Sequence, residues 1–284
     1  MAGTLILCAG PIGNLADAPP RLAEALASAS VIYVEDTRRA RTLLQHLGVD
    51  RPVRSFFVGN EQERAAEIRV RLSDGDTVAL LTDAGTPAVA DPGVSAVGAA
   101  IEAGAIVTGI PGPSAVTLAI ALSGESGDRF VFEGFLPRKG GARARRIEAI
   151  GREERTTVLF CAPGRLGADL RDLAADAATR TCVVCREMTK LHEEMWRGTV
   201  AEAAEHWSQR TVKGEVTVVI GGGEAPESSL GVAIEMAMGA IEGGQRPSGA
   251  VRRVAKETGV SRRALYEAVI ARRGVERDRF STGR

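Results

Sequence analysis

The chain has 284 residues, with 36 basic and 36 acidic side chains, 44% hydrophobic residues and 25% charged ones. This composition excludes wholesale disorder, and the length suits one large domain or two of ordinary size. Aromatics make up only 4%, while 33 glycines amount to roughly 12% against a usual ~7%, so tight loops with closely approaching backbone are expected.

Short runs rich in β-branched residues predict nine strands. Five come first: TLILCA (4–9), VIYVE (31–35), VRSFFV (53–58), TVALLT (77–82) and IVTGI (106–110). Four follow: FVFEGF (130–135), TTVLFC (156–161), TCVVCRE (181–187) and EVTVVI (215–220). Helical patterns fill the gaps, among them PRLAEALASA, EQERAAEIRVRL and GRLGADLRDLAADA. Such alternation predicts α/β layers with mainly parallel sheets. The PGP turn at 111–113 divides them into an N-terminal lobe, 1–111, and a second lobe, 112–225, with a cleft between.

Residues 226–284 have a different texture. LGVAIEMAMGAIEGG predicts a helix, and two more follow about a turn at Gly259, the last capped by Ser261. Val251, Val254 and Ala255 form one apolar stripe, and Leu265, Ala268 and Val269 another. The pattern fits a helix-turn-helix as well as a plain helical hairpin. From residue 243 there are 11 basic and 4 acidic side chains, leaving 25 and 32 in the rest. A basic module on an acidic body suggests either a polyanionic partner or a solvated helical tail.

The start carries no basic signal region, and no apolar run reaches the ~20 residues of a membrane span, so a cytoplasmic protein is expected. Cys182 and Cys185 lie three apart in a predicted strand and so point to opposite faces, which suits neither zinc nor redox pairing. With Cys8, Cys161 and three scattered histidines, no metal site is expected.

Ligands of open α/β sheets bind beyond the carboxyl ends of strands. Here those ends run into GPIGNL (10–15), DAGTPAVADPG (83–93), PGPSA (111–115) and LPRKGG (136–141). Four such loops predict a cleft lined by backbone amides rather than a set of plain turns. No GxxxxGK[ST], no GxGxxG after the first strand and no GxSxG occurs, which leaves nucleotide-triphosphate, dinucleotide and serine-hydrolase readings unsupported.

In order along the chain stand PIGNL, EDTR (35–38), NE (60–61), TDAGTP (82–87), DPG (91–93), IPGPSA (110–115), SG (123–124), FEGFLP (132–137), REMTKLHEE (186–194) and KGE (213–215). The set resembles the small-subunit ribosomal RNA cytidine 2'-O-ribose methyltransferases, a branch of the tetrapyrrole methylase superfamily. The resemblance covers about 4–225, and the basic tail is similar to that branch's C-terminal extension. It implies two α/β lobes, a homodimer and S-adenosylmethionine folded into the cleft. It also implies methyl transfer to a ribose hydroxyl of small-subunit RNA, either naked or in an assembled subunit. The rivals are a tetrapyrrole or other small-molecule methylase, which would not need a basic tail, and a non-catalytic RNA-binding assembly factor, which would not need a cofactor loop.

Matched residue by residue, the resemblance places cofactor contacts on Pro11, Ala84, Gly85, Thr86, Val89, Ser114 and Ala115, and on Cys161 and Met188 in the second lobe. Asp83 or Glu187 could accept the 2'-proton, with Glu187 and Lys190 the leading catalytic candidates. Arg38, Arg186, Arg252, Arg253, Arg262 and Arg263 would handle RNA. Glu35, Asp36, Glu193 and Glu194 are further polar candidates. The sequence departs from the pattern at Gly10, Gly59, Ala162 and Gly164, where polar side chains were expected.

Overall fold

The computed structural model describes residues 2–223 and 227–281, with side chains of the latter stretch described over 230–272. The chain divides into two compact units at Gly223. The expected boundary between residues 225 and 226 falls outside the described residues.

The first half of the larger unit runs β1 (Thr4–Cys8), α1 (Pro20–Ser28), β2 (Val31–Val34), α2 (Thr37–His46), β3 (Val53–Ser55), α3 (Glu61–Ser73), β4 (Thr77–Leu81), α4 (Val94–Glu102), β5 (Ile106–Ile110) and α5 (Ala115–Ser123). Its sheet has the order β3-β2-β4-β1-β5 and is parallel throughout. Leu22, Leu26, Leu43 and Leu44 pack on one face, and Ile68, Leu72, Ala96 and Ala100 on the other. Burial on both faces explains why β2 and β4 read as unbroken apolar runs. The chain leaves β1 for β2 and leaves neighbouring β4 for β5, in opposite directions across the sheet. That divergence opens a crevice at the strand ends.

The second half runs β6 (Phe130–Phe135), α6 (Gly141–Gly151), β7 (Thr156–Cys161), α7 (Leu166–Ala177), β8 (Thr181–Arg186), β9 (Glu194–Thr199), α8 (Val200–Trp207) and β10 (Val216–Ile220). Its sheet, β6-β7-β10-β8-β9, is mixed, since only the β6–β7 pairing is parallel. Five of the eight strand pairings are therefore parallel, and the antiparallel ones are confined to this lobe. Helices α6, α7 and α8 cover one face, while α5 covers part of the other through Val116, Ala119 and Ile120.

Strand β9 is the one element of this lobe that sequence reading missed. EMWRGT puts the neighbours Met195 and Trp196 against opposite cores, with the charges of Glu194 and Arg197 on either side of the pair, so no one-sided alternation marks it as a strand. Strand β3 is also shorter than expected, ending at Ser55. Cys182 and Cys185 do enter opposite cores, and all four cysteines are buried and free. Among the described residues there is no cluster of potential metal ligands and no helix long and apolar enough to cross a membrane.

The smaller unit contains α9 (Glu227–Glu242), α10 (Pro247–Thr258) and α11 (Arg262–Ser281), packed around Ala233, Ala237, Val251, Val254, Leu265 and Val269. Pro247 opens α10 and left-handed Gly259 closes it (φ 74°). Ser261 Oγ accepts from the Ala264 amide at 3.4 Å to start α11. Arg252, Arg253, Arg262 and Arg263 stay exposed, because the buried positions of both helices are apolar.

Candidate active site

A cavity of about 650 Å³ opens in the larger unit where the loops after β1, β4 and β5 meet one face of the second sheet. That volume lies within the range usual for small-molecule sites, about 300–1,000 Å³. The loop after β1 is tied to the loop after β4 by a two-way backbone bridge, Gly10 N to Gly85 O at 2.9 Å and Gly85 N to Gly10 O at 3.3 Å. Gly10 suits this contact, since a Cβ there would lie 3.3 Å from the Thr82 carbonyl. At the start of α5, Ser114, Ala115, Val116 and Thr117 line the cavity, and no side chain caps the helix. Its first-turn amides are therefore free for an anionic group.

Backbone strain is concentrated around this cavity. Among the described residues, the non-glycine positions with positive φ are Ala88 (66°), Ala90 (62°), Glu187 (52°) and Thr189 (68°). The first two lie in the loop after β4, the other two between β8 and β9. Each left-handed residue costs roughly 1–2 kcal/mol, and such strain persists only where surrounding contacts enforce it.

The enforcing contacts at Glu187 are visible. Glu187 Oε1 accepts from Lys190 Nζ at 2.8 Å and from the Glu215 amide at 2.9 Å. Lys190 Nζ also donates to Glu215 Oε2 at 2.9 Å. The lysine hydrogen bond, reinforced by the Glu215 amide, holds the Glu187 carboxyl below its ordinary range against the opposing effect of burial. Lys190 is held above its own range, because its two carboxylate partners outweigh desolvation. Glycines make room for this cluster: a Cβ on Gly214 (φ 87°) would lie 2.3 Å from Glu187 Cδ, and one on Gly13 would lie 2.3 Å from Lys190 Cε. Lys190 thus lies across the PIGNL loop and connects the two lobes.

Four carboxylates, Glu35, Asp83, Asp91 and Glu215, line the cavity, opposed there by Arg39. Three of the four are committed. Asp83 accepts from the Asp36 amide at 3.1 Å and from Arg39 at 3.3 Å. Asp91 accepts from Thr82 Oγ1 at 2.5 Å, and Glu215 is held by Lys190. Glu35 has no hydrogen-bond partner among the described residues. Burial raises its pKa, followed by repulsion from Asp91 and Asp83, with Arg39 opposing. A desolvated carboxylate with free lone pairs, facing a cavity, is suited to accepting a proton.

Of the residues matched to the cofactor, Ala84, Gly85, Thr86, Val89, Ser114, Ala115, Cys161 and Met188 all line the cavity. Pro11 does not, but its neighbour Ile12 does. Asp83 lines it, whereas Glu187 and Lys190 stand behind Glu215 outside the lining. Arg38 pairs with Asp36 at 2.8 Å and is largely exposed, while the next residue, Arg39, faces the cavity. Arg186 pairs with Glu194 at 2.8 Å, also outside the lining. Asp91, Glu215 and the aromatic wall of Phe130, Phe132, Phe135 and Phe160 were not singled out from sequence. The DPG, KGE and FEGF blocks that carry most of them offered the only signal.

A crevice of backbone donors at the strand ends of a parallel sheet is thus faced by a second, mixed sheet, the two-lobed α/β arrangement of a small-molecule-binding fold. Residues 4–204 match the family described as Tetrapyrrole (Corrin/Porphyrin) Methylases, and the chain belongs to that family as a methyltransferase. Among its relatives is the Ribosomal RNA small subunit methyltransferase I of Mycobacterium tuberculosis H37Rv, 43% identical over 96% of each chain. A protein of the same name from Thermotoga maritima is 42% identical over 78% of this chain and 100% of its own. Among solved structures, a diphthine synthase superposes with a TM-score of 0.61 at 19% identity, covering 77% of this chain and 89% of that one.

Proposed function

We propose that the chain transfers the methyl group of S-adenosylmethionine to the ribose 2'-hydroxyl of a cytidine in small-subunit ribosomal RNA. The pattern of donors in the cavity carries this reading. The uncapped start of α5 fits a carboxylate, the Gly85–Thr86 backbone fits polar edges, and Val89, Cys161 and Met188 fit an apolar ring. Four carboxylates against one arginine suit a cationic sulfonium. Bound there, S-adenosylmethionine would supply an electrophilic methyl with a good leaving group, leaving the protein mainly to align the reactants and manage a proton.

Glu35 is the residue we assign to that proton, because it alone of the cavity carboxylates is uncommitted. Asp83, Glu187 and Lys190 serve the reaction by holding the cleft in shape. The exposed arginines of α10 and α11 fit a polyanion, and the names of the relatives support RNA as the substrate. The Thermotoga relative matches over only 222 residues under the same name, which supports an accessory role for the smaller unit. We include a homodimer in the proposal, supported by the outer edge of the first sheet, where β5 exposes Ile106 and Val107. A cytoplasmic location fits such a substrate.

Radiolabelled methyl transfer to small subunits from a strain lacking the modification, followed by nuclease mapping, tests the reading. Label on a ribose of one cytidine is expected, and label on a base would reject the 2'-O assignment. Removing residues 224–284 is expected to weaken subunit binding while leaving S-adenosylhomocysteine affinity intact. Equal loss of both would make the smaller unit purely structural.

A further inference from the structure

The aromatic residues of this chain are scarce and unevenly placed. Of seven phenylalanines, four line the cavity: Phe130, Phe132, Phe135 and Phe160. Strict alternation would put Phe130 and Phe132 on one face of β6 and Phe135 on the other. A bulge prevents this. The pairing of β6 with β7 shifts between Phe132 and Gly134, so that Glu133 is the extra residue and Gly134 turns left-handed (φ 63°). Phe135 consequently sits beside Phe160 on the cavity face, with ring centroids 5.6 Å apart, and Leu136 enters the opposite core. Glu133 is held by an ion pair with Arg146. Bulges of this kind re-aim side chains next to active sites. Here the bulge leaves Phe135 58% exposed on the cavity rim, a position the core itself does not require.

The chain that follows presents charge beside that ring. Arg138 and Lys139 are exposed and have no ion-pair partner among the described residues. The backbone that carries them is fixed from behind. Arg143, nearly buried and paired with Asp169 and Asp172, donates to the Pro137 carbonyl at 3.1 Å. Arg165 donates to the Arg138 carbonyl at 3.2 Å. Two of the arginines in this region thus hold the loop, while Arg138 and Lys139 remain available outside. The cavity interior is acidic and would repel a phosphate, so cations at the rim are where an RNA backbone can be gripped.

The geometry points to a nucleotide-gripping site on the second lobe: Phe135 stacks on a single-stranded base of the RNA, and Arg138 and Lys139 hold flanking phosphates. This rests on the RNA-methylation reading and extends it with a site distinct from the arginines of α10 and α11. Aromatic platforms beside basic side chains are how single-stranded bases are commonly held.

The test measures filter binding of unmodified small ribosomal subunits, and calorimetry with S-adenosylhomocysteine, on the full chain. F135A should weaken subunit binding about 5- to 150-fold, the range expected for losing one stacked base. F135W should retain it, and both should bind S-adenosylhomocysteine as the wild type does. R138A/K139A should flatten the logarithmic salt dependence of subunit binding by about 1.4 to 1.8, as expected for two lost phosphate contacts. If F135A weakens S-adenosylhomocysteine binding and spares subunits, the ring serves the cofactor and the site is disproved. Unchanged subunit affinity in F135A also disproves it, with the methylation reading untouched. A wild-type chain that binds neither probe would overturn both.

Discussion

The two lobes of the larger unit build their halves of the cleft by different means. The first sheet is wholly parallel, so every strand delivers its carboxyl end to the same side and the site is made from loops: Gly10, the strained turn through Ala88 and Ala90, and the start of α5. The second sheet is mixed, and its strand ends point both ways. It contributes a face instead, with Phe132 and Phe160 supplying an apolar wall and Lys190 reaching over Gly13 to the other lobe. A parallel sheet offers backbone donors and a mixed sheet offers side chains, and the cavity is lined by both.

The sharpest way to break this comparison is at Glu35, the first lobe's free carboxylate. E35Q should lower kcat by roughly 10²–10⁴-fold with S-adenosylhomocysteine affinity retained, and should lose the acidic limb of the pH–rate profile. That limb reflects a carboxyl facing Asp83, Asp91, Asp36 and Arg39, whose raised pKa must be exceeded before the base is ionised. The sign for stability is opposite. A raised folded-state pKa means that the ionised form burdens the fold at neutral pH, so E35Q should melt higher there. The difference should vanish as pH falls below the unfolded carboxyl range. Full activity in E35Q would remove Glu35 from its role.

Next in size are the glycines that seat the inter-lobe cluster. G214A forces a left-handed alanine and places its Cβ on Glu187, so a loss of about 1–3 kcal/mol in urea unfolding is expected, with weaker cofactor binding. An unchanged midpoint would mean that the cluster moves freely.

The pair at Lys190 should matter less, since it is partly solvated. K190M should cost about 1 kcal/mol at neutral pH. Glu187 has a lowered pKa, so its contribution is present above the unfolded carboxyl pKa and lost as pH falls through the folded one. The gap between wild type and K190M should therefore close on acidification. A gap that persists at low pH would point to lost packing on Gly13 instead.

The smallest effect is expected at the strained turn, where A88G should raise stability by up to about 1 kcal/mol, less the entropy that glycine adds to the unfolded chain. If that substitution also lowers methyl transfer, the turn's stiffness is part of the site.

Much of this architecture is local and therefore legible in the sequence. Apolar runs such as VIYV and TVALL are continuous because both faces of a parallel sheet are buried, and Gly259 with Ser261 marks the turn between α10 and α11 through local capping chemistry. The loops after β1, β4 and β5 could be placed at the cleft, because parallel strands must deliver their ends to one side, whereas the fourth loop expected there, LPRKGG (136–141), contributes no residue to the cavity lining. The direction of β8, β9 and β10, the parity change that turns Phe135 toward the cavity and the isolation of Glu35 depend on partners distant in the chain. Pairing register and hydrogen-bond commitment are properties of the assembled fold: Glu35 and Asp83 are both acids at strand ends, and only their neighbours in space make one a fixed acceptor and leave the other free.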